Sequence, residues 1–234
     1  MLITIIIPCY NEEKTLDVLI NRILDQKEFK KKIIIVDDYS TDESISIIKD
    51  NLLNKKIDRA IFHKENMGKG ACIKSAQQFV EGDYVIIQDA DLEYDPSDYK
   101  YLINKIIKEN LKVVYGSRVL NEKNNKKIQN FSHKIRIYGN YFLTKISNII
   151  NRQNLTDAHT CYKMFETKLF KSIKLIENDF SFCPEITTKI SLLNLDIKEV
   201  SINYDGRSYD QGKKIVALDG LGAIWTLIKY RYIK

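Results

Sequence analysis

The segment VIIQDADLEYDP, residues 85–96, sets the frame for the whole chain. A run of apolar residues stops, and Asp89, Asp91, Glu93 and Asp95 follow at alternate positions. Strand interiors disfavour Asp, so the segment reads as a buried strand leaving its sheet edge into a loop. Four carboxylates at this spacing repel one another unless a positive charge sits among them. Asp95 has a local explanation as the cap of a helix that opens at Pro96. Asp89, Asp91 and Glu93 ask for a cation, unless they form a solvated acidic loop.

Outward from this segment, strand and helix signals alternate. LITIII (residues 2–7), KIIIVDD (32–38), DRAIFH (58–63), DYVIIQD (83–89) and KVVYGSR (112–118) read as strands. Between them, EEKTLDVLINRIL places Leu16, Leu19, Ile20, Ile23 and Leu24 at helical spacing. TDESISIIKDNL reads as a helix capped by Thr41 or Asp42, and GKGACIKSAQQFV and SDYKYLINKIIKE as two more. Strands separated by helices predict an α/β fold, a mostly parallel, Rossmann-like sheet with helices on both faces. Ligands of such sheets sit beyond the carboxyl ends of the strands. Those ends carry Pro8-Cys9-Tyr10-Asn11, Asp37-Asp38, Asp89-x-Asp91 and Gly116-Ser117-Arg118.

The second half is less regular. Residues 119–133 read as a polar loop, 134–151 as a helix, CYKMF and DIKEVSINY as short strands, and FSFCPEITTKISLLN as a turn into a helix. RSYDQGKKI is a basic loop, and the chain closes on an amphipathic helix with a basic tail. No repeat or low-complexity linker divides the halves, so 1–234 reads as one domain, with a nucleotide-binding half (1–118) and an acceptor half (119–234).

The hydrophobic share of 44% supports a real core, and the apolar start reads as a first strand, not a signal peptide. The four cysteines are scattered without a C-x-x-C pair, so a disulfide framework is not expected and a cytoplasmic location is. The net charge of +6 permits an anionic partner, although a general richness in Lys would give the same total.

Five motifs in order, Pro8-Cys9-Tyr10-Asn11-Glu12, Val36-Asp37-Asp38-x-Ser40-x-Asp42, Asn66-x-Gly68-Lys69-Gly70, Asp89-x-Asp91 and Gly116-Ser117-Arg118, resemble family 2 glycosyltransferases. The resemblance is closest to the branch of dolichyl-phosphate mannosyltransferases and related polyprenyl-phosphate sugar transferases. DAHTCYKMF (157–165), Phe182–Glu185, Arg207-Ser208 and Gly212-Lys213-Lys214 extend it over nearly the whole chain. It implies a GT-A fold and transfer, with inversion, from a nucleoside-diphosphate sugar to a polyprenyl phosphate. It also implies site roles. Asp89 and Asp91, with Glu93 as a further ligand, would hold Mg²⁺ or Mn²⁺ against the donor diphosphate; a hard cation takes oxygen ligands. Pro8, Tyr10 and Glu12 would wall the base and ribose, Glu12 also being a favourable first-turn charge. Asp38 would meet the nucleoside. Tyr39 stands where the family usually carries Gly. Gly68 and Gly70 would allow close backbone approach, and Lys69 would approach a phosphate, although plain turn chemistry also explains the motif. Arg118, Arg136 and Arg207 offer the planar fork that suits phosphate oxygens, or form surface ion pairs. Ser208 and Lys213 would close over the diphosphate, with Ser208 and Arg136 on the acceptor side.

A carbohydrate hydroxyl, in cell-surface polysaccharide or glycolipid synthesis, is the alternative acceptor. It would need a general base, for which Glu185 and Asp157 are the candidates. A nucleotidyltransferase would want a basic glycine-rich loop after the first strand, where PCYNEE is acidic. A Rossmann dehydrogenase would want G-x-G-x-x-G there. A nucleic-acid binder needs no acidic cluster at a strand end, so no nucleic-acid partner is expected. Ile135, Ile137, Tyr138, Tyr141, Phe142, Ile146, Ile149 and Ile150, with Ile224, Trp225 and Ile228 near Lys229, Arg231 and Lys234, predict peripheral membrane association. Packing on the sheet or on a second subunit is the alternative.

Overall fold

The computed structural model describes residues 1–121, 131–206 and 218–233, with backbone alone for 131–137 and 218–219. The expected alternation is present. Strands β1 (Leu2–Cys9), β2 (Lys30–Asp37), β3 (Arg59–Phe62), β4 (Tyr84–Ile87) and β5 (Val113–Ser117) alternate with helices α1 (Leu16–Leu24), α2 (Ser44–Leu53), α3 (Lys69–Gln77) and α4 (Tyr99–Lys108). Then follow α5 (Phe131–Asn151), β6 (Lys163–Glu166), α6 (Thr167–Ser172), α7 (Phe182–Leu192), β7 (Lys198–Ser201) and α8 (Leu218–Tyr232).

One seven-stranded sheet runs in the order β3-β2-β1-β4-β6-β5-β7. Only β6 is antiparallel to its neighbours, β4 and β5. A strand from the second half is thus wedged between two strands of the first, and both halves share the sheet.

The isoleucine-rich strands are buried on both faces, which explains their unbroken apolar runs. Along β1, Ile3, Ile5 and Ile7 face a core with Leu16, Leu19, Ile20, Ile23, Leu102 and Ile106 of α1 and α4. Ile6 faces the opposite core, with Cys72, Ile73 and Ala76 of α3 and Ile186 and Ile190 of α7. The period-2 alternation of a strand sorts these side chains. β1 continues with β2 toward one edge and pairs with β4 on its other side. That is the point where the strand order reverses, and ligands of open α/β sheets bind there.

Candidate active site

Cys9, Asp37, Ile87 and Ser117 end four of the strands. The loops beyond them meet along one edge. β1 pairs with β4 only as far as Ile6–Ile87, so Pro8, which has no N–H to donate, lies past that ladder. Asn11 then takes a left-handed backbone (φ 54°). Its N–H donates to Ser40 Oγ at 2.9 Å and its Oδ1 accepts from Thr41 N at 2.8 Å, tying the β1 and β2 loops together. Glu12 is buried; its N–H donates to Ser44 Oγ and its carboxylate accepts from Thr15 Oγ1 at 3.0 Å.

Tyr39 has φ 67°, the left-handed region that suits the usual glycine. The turn is preserved and the bulky ring stands 52% exposed. Asp42, expected as the cap of α2, lies one residue before its N-cap Glu43, and its Oδ1 accepts from Ser44 N at 2.9 Å.

Asp38, expected at the nucleoside, is engaged inside the protein. Its Oδ1 accepts from Met67 N at 2.9 Å and its Oδ2 from Gly68 N at 2.7 Å. His63 Nδ1 lies 2.7 Å from Oδ1, and His63 Nε2 lies 2.9 Å from Ser75 Oγ. Any contact with a base competes with these bonds. Asp38, His63 and Cys72 lie close enough to share a metal ion. Burial, and then Asp38, push the Cys72 thiol far up. The trio is a hydrogen-bonded brace for the 66–68 turn.

Gly68 and Gly70 face protein. A Cβ on Gly68 would lie 2.6 Å from Asn178 O, and one on Gly70 would lie 2.5 Å from Glu177 O. These glycines admit the 177–178 backbone, not a phosphate, which corrects the close-approach expectation. Between them, Lys69 points into the site, where its ammonium pairs with Asp89 Oδ1 and lies 2.9 Å from Cys161 Sγ. Burial opposes both charges, and the pairing outweighs it: Lys69 is raised and Asp89 lowered from their ordinary values.

The acidic loop rests on a tyrosine raft that the sequence did not announce. Gln88, fully buried at the end of β4, accepts from Tyr99 Oη at 2.7 Å and Tyr162 Oη at 2.6 Å. It donates to Asp89 O at 3.0 Å. Tyr94 stacks on Tyr162 with centroids 4.8 Å apart, and its hydroxyl accepts from Cys161 N. Asp91 is half-buried and accepts from Glu93 N at 3.1 Å. Glu93, expected as a further metal ligand, accepts from Tyr204 Oη at 2.6 Å, which draws it toward the second half of the chain. Asp95 caps the turn at Pro96, accepting from Ser97 N at 2.9 Å. Asp89 and Asp91 remain as two oxygen donors flanking Ala90. Asp89 already holds a cationic group, so the donor set and its charge fit a hard divalent ion.

Arg118 follows β5. Its Nε donates to Asp157 Oδ2 at 2.7 Å and its Nη2 to Oδ1 at 2.8 Å, and its guanidinium lies 5.1 Å from the Tyr204 ring centroid. Asp157 is fully buried; Asn140 donates to it, and its N–H is held by Glu199. Burial opposes its charge, but Arg118 dominates and takes the carboxyl down to about 2. Asp157, expected as a candidate base, is thus engaged in holding the Arg118 guanidinium. Glu185 is the other candidate base. It is fully buried, and it accepts from Ile176 N at 2.7 Å, Glu177 N at 2.9 Å and Lys189 Nζ at 2.5 Å. It therefore shapes the 176–178 segment that covers Gly68 and Gly70. Gln88, Tyr94, Asn140, Glu199 and Tyr204 were missed because nothing in their local spacing marks them. Arg207, Ser208, Lys213 and Lys214 lie outside the described residues, as does the Arg136 side chain.

Solved structures share this architecture. Glucosyl-3-phosphoglycerate synthase of Mycobacterium tuberculosis superposes with a TM-score of 0.72 at 17% identity, covering 99% of this chain and 81% of that one. A crystal of the same synthase with Mn²⁺, uridine diphosphate and glucosyl-3-phosphoglycerate gives 0.68 at 15% identity, covering 99% and 80%. The fold is GT-A, with a mixed, mostly parallel sheet. In sequence, the chain is 29% identical over 246 residues to UDP-N-acetylglucosamine–dolichyl-phosphate N-acetylglucosaminyltransferase of Methanococcus voltae, covering 97% of this chain and 95% of that one. It is 27% identical over 217 residues to dolichyl-phosphate beta-glucosyltransferase ALG5D of Trichomonas vaginalis, covering 87% of this chain and spanning 65% of that relative's length. The family model described as glycosyl transferase family 2 matches residues 4–174, from β1 through the acidic loop to beyond β6, and the chain belongs to that family.

Proposed function

We propose that the protein transfers a sugar, with inversion, from a nucleoside-diphosphate sugar to a polyprenyl phosphate at a membrane surface. One observation carries the choice of a phosphate acceptor over a hydroxyl. Both carboxylates expected as general bases, Glu185 and Asp157, are buried and held by protein donors. A hydroxyl needs a base within hydrogen-bond reach. A phosphate monoester is already anionic and needs positive charge to approach the donor diphosphate. The dolichyl-phosphate relatives support the same reading.

The donor would lie at the β1–β4 switch point, with Pro8, Tyr10 and Glu12 on one side and the brace of Asp38 behind the 66–68 turn. Asp89 and Asp91 would hold Mg²⁺ or Mn²⁺. When bound, such an ion offsets the charge that develops on the departing nucleoside diphosphate. Arg118, its plane set by Asp157 and Asn140, would direct positive charge at the acceptor phosphate. Arg136, Arg207, Ser208 and Lys213 join this reading on the strength of the family resemblance alone.

The membrane face would be that of α5 and α8, which pack together. Tyr138, Tyr141, Phe142, Ile149, Leu221 and Trp225 are exposed on them. Two of the basic residues expected there turn inward: Lys229 pairs with Glu177 at 2.7 Å, and Arg231 reaches toward Ser191. Apolar burial therefore contributes more than charge. Among the described residues, no helix is long and apolar enough to cross a membrane. The cytoplasmic leaflet, where nucleotide sugars are made, is the proposed side.

The test offers the purified protein a polyprenyl phosphate and a neutral glycan, each with a panel of nucleoside-diphosphate sugars and Mn²⁺ or Mg²⁺. Transfer to the phosphate alone is expected, and transfer to the glycan alone would overturn the reading. Flotation with phosphatidylglycerol vesicles tests the membrane face. Binding should fall at least about tenfold in a Phe142→Ser, Trp225→Ser double variant, and absence of wild-type binding would remove the claim.

A further inference from the structure

We infer that Lys69 is a built-in counter-ion that occupies the metal carboxylate and competes with the divalent ion for it. This rests on the proposed assignment of Asp89 as a metal ligand. Lys69 is the first residue of α3, where the helix N-terminus disfavours a cation. Its side chain nevertheless turns inward, 10% exposed, and ends on Asp89 Oδ1 with Cys161 Sγ 2.9 Å away. The direction of that side chain is over-determined. Gly68 and Gly70 on either side are pressed against the 177–178 backbone, and Ala71 N donates to Asn178 O at 2.9 Å. The helix start has no room to roll and release the lysine to solvent.

A divalent ion bound at Asp89 would stand close to the Lys69 ammonium, and the two cations repel. A metal entering alone must share Asp89 with the Lys69 ammonium, and nothing it brings takes up the ammonium's charge. A metal entering with a nucleoside diphosphate brings phosphate oxygens that receive the ammonium. Lys69 therefore makes metal and nucleotide binding interdependent: it weakens binding of the free ion and favours the ion that arrives with the donor.

The experiment measures binding of Mn²⁺ alone by electron paramagnetic resonance of the free ion, without any turnover. Lys69→Met should bind Mn²⁺ at least tenfold more tightly than wild type, and adding Asp89→Asn to it should remove the gain. Lys69→Arg keeps the charge and should behave as wild type, while circular dichroism confirms folding of each variant. No gain in Lys69→Met overturns the inference, as does a gain that survives Asp89→Asn or appears in Lys69→Arg. Asp89→Asn alone, with UDP or GDP present, tests the underlying assignment. If it abolishes Mn²⁺ binding while Lys69→Met shows no gain, only the counter-ion inference falls. If it leaves Mn²⁺ binding intact, both fall.

Discussion

Residues 1–118 supply five strands with a helix between each and the next, and the strand ends deliver their polar residues to one edge. The chain from 131 onward supplies two short strands and helices of unequal length. Two of its side chains, Asp157 and Tyr204, reach back to Arg118 and Glu93 of the first half, while Glu185 and Glu199 hold backbone N–H groups of the second half itself. One half presents chemistry and the other holds it in place. Asp157 aims Arg118, Tyr204 takes Glu93, and Glu185 shapes the segment on which Gly68 and Gly70 rest. A carboxylate in the first half should therefore matter to rate, and one in the second half to stability.

Asp91→Asn should break that contrast most visibly. It removes charge without volume from a half-buried loop residue, and loss of several kcal/mol of charge stabilisation lowers transfer by about 10²-fold or more. Steady-state transfer with unchanged thermal unfolding is the expected pair of results. Rates within threefold of wild type would place the metal elsewhere.

Glu185→Gln is the converse. It keeps the shape but weakens three charge-assisted bonds, so stability should fall by about 2–3 kcal/mol. Transfer to a polyprenyl phosphate should stay within tenfold. A large loss of rate in a fully folded variant would return Glu185 to the role of base. Urea unfolding and initial rates measure the two sides.

Asp157 adds a pH signature. Its folded value of about 2 lies below the ordinary carboxylate value, so its contribution is complete well above pH 4 and is lost as pH falls toward 2. For a shift of that size the loss amounts to about 2 kcal/mol. The difference in unfolding free energy between wild type and Asp157→Asn should therefore shrink between pH 5 and 2. A pH-independent difference would mean that Arg118 does not set the charge of this residue.

The smallest effect belongs to Tyr39→Gly. A left-handed backbone costs an L-residue roughly 1–2 kcal/mol, and the extra freedom of glycine in the unfolded chain returns part of that. A net gain of about 0.5–1 kcal/mol is expected by thermal unfolding. A loss would show that the exposed ring makes a contact that stabilises the turn.

The first half was legible because its signals are local. An apolar run such as Ile3–Ile7 or Ile33–Val36 is a strand wherever it sits, and the polar residues after it fall at the strand end by chain continuity alone. Asp95 as a cap and Asp42 before α2 needed no partner from elsewhere. The acidic positions 89 and 91 were read the same way, and so was Arg118 at the end of β5. Legibility failed for Asp157 and Glu185, because a carboxylate before a strand or at a helix start looks the same whether it faces a substrate or a buried cation. Lys69 was read as a phosphate contact, and only the closeness of β4 to the start of α3 shows its pairing with Asp89. Glycines 68 and 70 were read for the space they leave, whereas the 177–178 backbone, more than 100 residues away, fills that space.

By itself, then, the order of residues determined the alternation of strands and helices, the edge on which the polar loops gather, and the place of Asp89 and Asp91 just beyond a strand end. Each follows from spacing along one segment and from the direction in which a strand runs. Tertiary structure alone decided that β6 lies antiparallel between β4 and β5, that a tyrosine raft under Gln88 supports the acidic loop, and which charges are paired. Pairing and burial depend on residues distant in sequence meeting at contact distance. A carboxylate's chemistry is set by the cation and the donors it meets there, not by its neighbours along the chain.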